Sequence, residues 1–519
     1  MNFRCWLHYT ITFIHIILVS IFTYIKSRFF GNKQRVRPLF NRDGHIAIVG
    51  GGIGGASAAY ALIHSGYRNV TIYEARDQLG GNAKTHLWQE ETKAINTGLS
   101  VLAWPLIFRN YIHLLNQLNI PTTMVQLPFC IHHKDGNRIF GHRQQEYHTK
   151  RYSNELKRWN HMVDIVRYTS EFFNGKEMSL YHFSLLNPFN YISLRMLSVV
   201  FGISSDFWNH LVVPMYASSF LSTKLSFIPA AILPTIDSLI SLQPNSIPTM
   251  QTWMGTSMDV FEKMTKGTRV KTNHRVQQVH IQRRRNNQIS ISIDQENILY
   301  DRIIFACNAE TTVQALTTGM SHPSYLLKLL LSNVSYGDAD DLNMLDGIIH
   351  RDRTILPMEY ADELCRDYAN YIDVKYDPQK QVFYQYNTFI LSSWLPNVHA
   401  MLKENQREHR HLEPMLVTYA SADQPPPKID PRKIFGNVDN RRAHPSLSFR
   451  NQAISLLIRF VQGENGIYFC GNAVTPANGH DLSLLSGFAV AELIGAKYPF
   501  ENDAAALRDY HRFKRMCVD

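Results

Sequence analysis

None of the six cysteines in this chain of 519 residues has a near partner: Cys5, Cys130, Cys307, Cys365, Cys470 and Cys517 form no CxxC pair and no tight framework. That excludes a disulfide scaffold and leaves reduced thiols facing the cytosol as the expected state. Metal-ligand spacing is absent as well. The 23 histidines include an adjacent pair, His132 and His133, but no HExxH or similar cluster, so no metal is expected. There is no nucleic-acid-binding motif and no internal repeat. Lys and Arg outnumber Asp and Glu by only 53 to 43, and part of that excess sits in short runs, at 26–37 and at Arg283, Arg284 and Arg285. Solvated loops or an anionic membrane surface account for such runs as well as nucleic acid does, and nucleic acid is not expected as a partner. With 45% hydrophobic residues the chain is not disordered overall, and its length exceeds one ordinary domain.

Charge is also missing over one stretch near the amino terminus. From Cys5 to Ile25, CWLHYTITFIHIILVSIFTYI runs 21 residues without a formally charged side chain, close to the roughly 20 that a helix needs to cross a bilayer. A cleaved signal peptide would need a small-residue cleavage site, which this run lacks, so a retained single-pass transmembrane helix is expected. Only Arg4 precedes the run, whereas Lys26, Arg28, Lys33, Arg35 and Arg37 follow it. Positive charge favours the cytoplasmic side, so the large carboxy-terminal part is expected in the cytosol.

Regular α/β patterning begins at His45. HIAIV reads as a short apolar strand, GGGIGG as a turn, Ala56 to Ser65 as a helix stopped by Gly66, and NVTIYEA as a second strand. This is a β-α-β unit of about 30 residues, whose crossover is right-handed. From Leu106 to about Lys266 the pattern is mainly helical and aromatic. Strand alternation returns in RVKTNHRVQQVHI, QISISI and LYDRIIFACNAE, and again in GIYFCG, which precedes a helix over Leu482 to Ile494. Sheet-forming pieces that recur around two insertions imply an α/β fold with a discontinuous Rossmann-like nucleotide domain (45–105, 265–320 and 440–500). An α+β substrate domain (106–264 and 321–439) is interleaved with it. The anchor and basic linker occupy 1–44, and 501–519 reads as a tail.

Gly50, Gly52 and Gly55 fit GxGxxG in the required strand-turn-helix setting: the first for the turn, the second for close approach of a pyrophosphate, and the third for helix-strand packing. Ile53 and Gly54 complete that turn. Phosphate charge is stabilised there by free amides and the helix dipole. Glu74, followed by Ala75, closes the second strand, where its carboxylate accepts from ribose hydroxyls and repels a 2′-phosphate. This disfavours NADP but leaves NAD and FAD open. A second cluster, RDQLGGN at 76–82, follows the acid.

The stretch YEARDQLGGNAKTH resembles the flavin-containing amine oxidase and phytoene desaturase superfamily, in which a glycine pair after the ribose-binding acid carries backbone amides to the pyrophosphate and ribityl chain of FAD. The resemblance therefore implies FAD, with Gly80 and Gly81 as that pair and Asn82 where the superfamily often has Arg. It extends to RVQQV at 275–279, where Val276 would pair with adenine through its backbone. It extends further to YFCGNAVTPANGHDLSLLSGFAVAE at 468–492, where Gly471 and Asn472 would lie beside the ribityl phosphate. Asp481 and Leu482 would there open a helix aimed at the flavin pyrimidine oxygen. Within the superfamily, segments such as INTGLSVL, VPMYASSF, GIIHRDRTILP and HPSLSFRNQA resemble a mostly bacterial group of FAD-dependent amine oxidase-like oxidoreductases. Asn96 departs from that group's common Asp, and one glycine is lost before Ser257.

What the resemblance implies is hydride transfer from a small or lipid-like molecule to flavin, by oxidation or desaturation. An amine or polyamine oxidase releasing hydrogen peroxide is the alternative, and a non-catalytic flavin-binding membrane scaffold is a third reading. His480, beside the flavin motif, is the candidate catalytic residue, a proton relay whose unperturbed pKa is near neutrality. His350 reads as a buried, hydrogen-bonded histidine, and Cys470 as a small buried apolar residue.

Overall fold

The computed structural model describes residues 18, 38–39, 41–83, 85–88, 93–96, 102–133, 138–143, 146–174, 186–220, 225, 228–243, 246–283, 289–294, 298–318, 323–336, 346–377, 379, 382–400, 413–420, 426–439 and 445–518. Apart from Leu18, the uncharged run Cys5–Ile25 lies outside them, as does the basic stretch 26–37. Among the described residues no helix is long and apolar enough to cross a membrane.

Five parallel strands form the first sheet, in the order Ile467–Phe469, Arg302–Phe305, His45–Val49, Asn69–Tyr73 and Arg269–Lys271. Parallel strands covered on both faces read as unbroken apolar runs, which HIAIV and NVTIY are. Their side chains alternate as a period of two requires: Ile46, Ile48, Val70 and Ile72 enter one core, and Ala47, Val49 and Tyr73 the other. The helices Ile53–His64 and His480–Ile494 cross on the first face. A methyl group on Gly487 would lie 2.2 Å from the Gly54 carbonyl oxygen, so this crossing is backbone against backbone and requires the missing side chain. The opposite face carries the antiparallel sheet Val279–Arg283, Ile289–Ile293 and Leu299–Tyr300, together with Ala309–Thr318.

A second sheet of seven strands runs Ile434–Asp439, Asp346–His350, Leu416–Ala420, Val382–Ile390, Asn370–Asp377, Phe129–His133 and Arg138–Gly141. All neighbours are antiparallel except Asn370–Asp377 with Phe129–His133. It draws strands from both insertions, and the helices Ser153–Asn174, Leu194–Val200, Val213–Phe220 and Leu233–Leu239 pack with Ile131, Ile372 and Val374 into one core.

Three elements sit elsewhere than their sequence position suggests. The helix Tyr325–Ser332 packs with Ile454, Ile458 and Phe469 of the nucleotide unit. Arg109–Gln117 lies against the His480–Ile494 helix and the carboxy-terminal segment, where Asn110 Nδ2 donates to the Ala506 carbonyl at 3.2 Å. The expected tail is the helix Ala504–Cys517, capped by Asp503, and its Tyr510, Phe513 and Met516 join the first core. Hydrophobic burial, not chain order, assigns each to its unit. The RVQQV segment differs too: the strand stops at Lys271, and the chain from 272 to 278 is irregular, held by the Gln277 and Gln278 amides, which both donate to Asp294 Oδ1 at 2.9 Å.

Two buried histidines in the second unit make its stability depend on acid. His142 Nδ1 accepts from the Phe129 amide at 2.8 Å, and neither ring nitrogen of His148 has a partner among the described residues. Burial holds His142 at about 3 and His148 at about 4. The unfolded chain, with histidines near 6.5, therefore binds more protons than the folded one below that value. Stability is fully present above about pH 6.5 and falls, by up to about 1.4 kcal/mol per pH unit for each histidine, as pH drops toward the folded values. Urea midpoints at about pH 7 and pH 5 should differ accordingly, and His148→Leu should flatten the dependence. An unchanged slope in the variant would assign the acid sensitivity to other groups.

Candidate functional site

The carboxyl ends of the parallel strands His45–Val49, Asn69–Tyr73, Arg302–Phe305 and Ile467–Phe469 open into one cleft, where the strand order of an α/β sheet leaves room for a ligand. The turn Gly50–Gly52 leads into the helix that begins at Ile53. Its N-cap, Gly52, has no side chain to satisfy the first-turn amides. A second helix starts at the same cleft: His480–Ile494, whose N-cap, Gly479, is likewise bare. Two uncapped helix termini therefore present free N–H groups and positive dipole ends to one space.

Glu74 ties the two glycine clusters together. Its Oε2 accepts from the Gly51 amide at 2.8 Å, and its Oε1 from the Arg76 amide at 3.0 Å. The Gly80 amide donates to the Gly51 carbonyl at 3.0 Å, and Arg76 Nη1 to the Gly81 carbonyl at 2.8 Å. The result brings Gly81 against Gly52: a Cβ on Gly81 would sit 3.0 Å from the Gly52 Cα. A Cβ on Gly52 would meet only Gly81 Cα, at 3.6 Å, with the cleft beyond.

Gly50, Gly52, Ile53, Gly54, Glu74, Ala75, Gly80, Gly81, Asn82, Val276, Gly471, Asn472 and His480 all line this cleft. Val276 is buried, and no backbone hydrogen bond to its peptide group occurs among the described residues. The Gly471 amide donates to Ser486 Oγ at 2.8 Å. The Ser483 hydroxyl donates to the Asn472 side-chain oxygen, leaving the Asn472 carboxamide nitrogen as a donor. Gly55 does not line the cleft. It lies under the turn, where a Cβ would come 2.0 Å from the Gly50 carbonyl oxygen, so its place is the contact of helix with strand.

Asp481 and Leu482 are also absent from the cleft. Each helical residue turns about 100°, so His480 and Ser483 face the opening while the two between them face the core. Asp481 Oδ1 accepts from the Tyr111 amide at 2.6 Å, and burial, reinforced by Asp509, pushes its carboxyl well above the usual range. Its side chain docks the Arg109–Gln117 helix, while its backbone stands in the first turn of the helix that starts at the cleft.

The structure also corrects the protonation of His480. The imidazole packs edge-on against the Tyr111 ring at 4.8 Å, Nε2 has no hydrogen-bond partner among the described residues, and burial lowers the pKa to about 3. At neutral pH it is an uncharged imidazole, so it presents a hydrogen-bonding nitrogen and not a titrating relay. His350 lies in the second sheet, with Nε2 at 2.8 Å from Thr418 Oγ1, Nδ1 accepting from the Asp352 amide at 3.1 Å, and a pKa lowered by burial to about 4. Cys470 is buried in the first core and does not line the cleft, and burial raises its thiol. Cys307 does line it, also as a thiol, pushed up to about 11 by burial. Among the described residues no group of three His, Cys, Asp or Glu is placed to hold a metal.

Other lining residues escaped the sequence reading. Ala306, Cys307 and Asn308 follow a parallel strand just as Gly50 and Glu74 do, so the end of RIIF was the available signal. Tyr336 and Pro445, which pair as an isolated bridge, come from distant segments with no local pattern.

These features fit a flavin dinucleotide: a bare-capped helix start for the pyrophosphate, a second glycine pair braced against it, and a second helix start opening into the same cleft. A model of the family described as flavin containing amine oxidoreductase matches residues 53–329, more than half of the chain. The 4,4'-diaponeurosporene oxygenase of Staphylococcus aureus (strain MRSA252) is 34% identical over 85 residues, which is 16% of this chain and 16% of that protein. The match thus spans about a sixth of the length of the curated relatives. Solved structures share the fold at low identity. The CLA-producing fatty acid isomerase from P. acnes has a TM-score of 0.55 at 12% identity, covering 87% of this chain and 99% of that one. Cyclohexylamine oxidase from Brevibacterium oxydans IH-35A has a TM-score of 0.54 at 14% identity, covering 87% and 99%. The chain belongs to the flavin containing amine oxidoreductase family, and its cofactor is FAD.

Proposed function

We propose that this protein is an FAD-dependent oxidoreductase that oxidises or desaturates a small or lipid-like organic molecule. The observation that carries the reading is the single cleft into which two bare helix termini open, with the buried His480 nitrogen at the second of them. Bound flavin supplies a hydride acceptor. The chain's own residues bind and orient. Gly52, Ile53 and Gly54 would hold the pyrophosphate through backbone amides at the turn that Gly50 makes, its own amide donating to the Tyr73 carbonyl at 2.8 Å, and Glu74 with Ala75 would hold the adenosine ribose. Val276 offers its free peptide group to adenine. Gly80, Gly81 and Asn82 line the pyrophosphate and ribityl chain, with Gly471 and Asn472 across from them. The helix terminus at Gly479–His480 would stabilise negative charge on the pyrimidine end of a bound flavin through its dipole. As a neutral group, His480 Nε2 would offer a hydrogen-bonding nitrogen to the substrate. Likeness over 85 residues to a protein named as a diaponeurosporene oxygenase supports the lipid-like substrate. The uncharged run Cys5–Ile25, followed by basic residues, supports attachment to a membrane with the large carboxy-terminal part in the cytosol.

Gly52→Trp should fold, with unchanged far-ultraviolet circular dichroism, yet carry no flavin absorbance, because its side chain fills the cleft; full flavin content would show that the phosphate turn lies elsewhere. Anaerobic bleaching of the flavin by unsaturated lipids supports the proposed reaction. Bleaching by amines alone, with peroxide on readmitting air, assigns an amine oxidase, and no bleaching by either panel leaves a flavin-binding scaffold. The rate of flavin reduction should show no inflection from His480 between about pH 5 and pH 8, since the group is already deprotonated throughout that range. An inflection near neutrality that disappears in His480→Gln would overturn the neutral assignment.

A further inference from the structure

Gly479 and His480, which open the second helix at the cleft, are each covered by an aromatic ring from the segment around the start of the helix Arg109–Gln117. The Phe108 ring lies over Gly479, where a Cβ would come within 3.1 Å of it. About one turn further on, the Tyr111 ring meets the His480 imidazole edge-on, with ring centroids 4.8 Å apart. Three residues advance a helix by about 300°, so the two rings project on one side and reach adjacent residues of the second helix.

Tyr111 is itself held on two further sides. Its backbone amide donates to Asp481 Oδ1 at 2.6 Å, so the residue that follows His480 fixes the residue that packs against His480. Behind it the Trp104 ring stands edge-on at 5.1 Å, and Trp253 packs on Trp104 at 4.8 Å, all three buried. The Tyr111 hydroxyl has no hydrogen-bond partner among the described residues, so the ring and not the hydroxyl makes the contact. Ionisable groups on the elements packed here are turned to other partners: Arg109 to Asp509 at 3.4 Å, His113 to Asp503 at 2.8 Å, and Tyr498 to the Asn110 side chain. On the cleft side stand Glu74, Arg76, His274, Arg275 and Cys307. Burial is the one cause of the lowered His480 pKa, with no contribution from any of these charges, so its protonation reports directly on the packing.

We infer that Tyr111 is a positioning residue for His480: its ring edge fixes the imidazole in one orientation at the cleft wall and keeps water off the face it covers. Edge-to-face pairing favours one mutual orientation of the two rings, and Asp481 acts one step further back by pinning the Tyr111 backbone. Without the ring, a void would open beside a polar imidazole at the wall of the cleft. A void of that size with a polar group in it takes up water, and hydration of the charged form returns a histidine toward its ordinary range. The inference rests on the reading of His480 as a group that meets the substrate, but the seat of its ring can be measured with no substrate present.

The test is a nuclear magnetic resonance titration of the FAD-loaded full chain with isotope-labelled histidine, the His480 signal being identified by its loss in His480→Gln. In the native protein His480 should not titrate between about pH 5 and pH 8. Tyr111→Ala should bring its midpoint into that window, a rise of at least about two pH units, whereas Tyr111→Phe, which keeps the ring edge, should match the native protein. Asp481→Ala, which frees the Tyr111 amide, should shift the midpoint in the same direction, and Asp481→Asn, which retains an acceptor oxygen, should not; this pair decides the matter if Tyr111→Ala does not fold. A His480 signal that stays untitrated in both alanine variants, or a Tyr111→Phe protein that titrates as Tyr111→Ala does, would overturn the inference. With a compound that bleaches the flavin, Tyr111→Ala should slow reduction at saturation at least about tenfold and Tyr111→Phe should restore it; an undiminished rate in Tyr111→Ala would remove the positioning role. Failure of every compound to bleach the flavin would overturn the reaction proposed above and leave the titration to decide the seat of the ring.

Discussion

The carboxylate of Glu74 is the tie on which the cleft depends. It closes the strand Asn69–Tyr73, accepts from the Gly51 amide of the first turn and from the Arg76 amide of the second, and is almost entirely buried between them. With Gly80 donating to the Gly51 carbonyl, two loops that are separate in sequence become one backbone cradle. A buried carboxylate that satisfies two backbone donors holds position far better than a solvated side chain, because releasing it would leave those amides unsatisfied.

The second constraint is the close crossing of the two helices whose amino ends meet at the cleft. Gly54 and Gly487 let the backbones touch, so that the starts at Ile53 and His480 open into the same space although more than four hundred residues of chain separate them. The crossing also buries His480 beside Tyr111, and burial is what keeps the imidazole uncharged. One packing decision therefore sets both the dipole environment of this part of the cleft and the protonation state of the histidine there.

Away from the cleft, the second unit pairs a seven-stranded sheet with a helical layer whose inner faces are well covered and whose outer ridges are not. The exposed apolar residues on Leu194–Val200 follow helical spacing as regularly as the buried ones do.

Much of this was legible in the amino-acid order. The β-α-β unit, the two glycine clusters and Glu74 announce themselves by spacing, because strand-turn-helix geometry and phosphate approach act over a few residues, whereas the distant Gly471–Asn472 pair was legible only through the family resemblance of its segment. Tertiary packing alone decided the rest. Asp481 and His480 are neighbours in a matching motif, yet a 100° helical turn sends one to the core and the other to the cleft. The ordinary near-neutral titration of histidine is lost because burial penalises its charged form. Val276 leaves the strand because Asp294, across a turn, captures the next two amides. Tyr336 and Pro445 reach the cleft only through a long-range bridge, and the last helix, Ala504–Cys517, joins the first core through contacts made far away in sequence. Local order determines which short segments can bind a phosphate. Where those segments meet, and in what charge state, depends on burial and helix phase, which no local pattern carries.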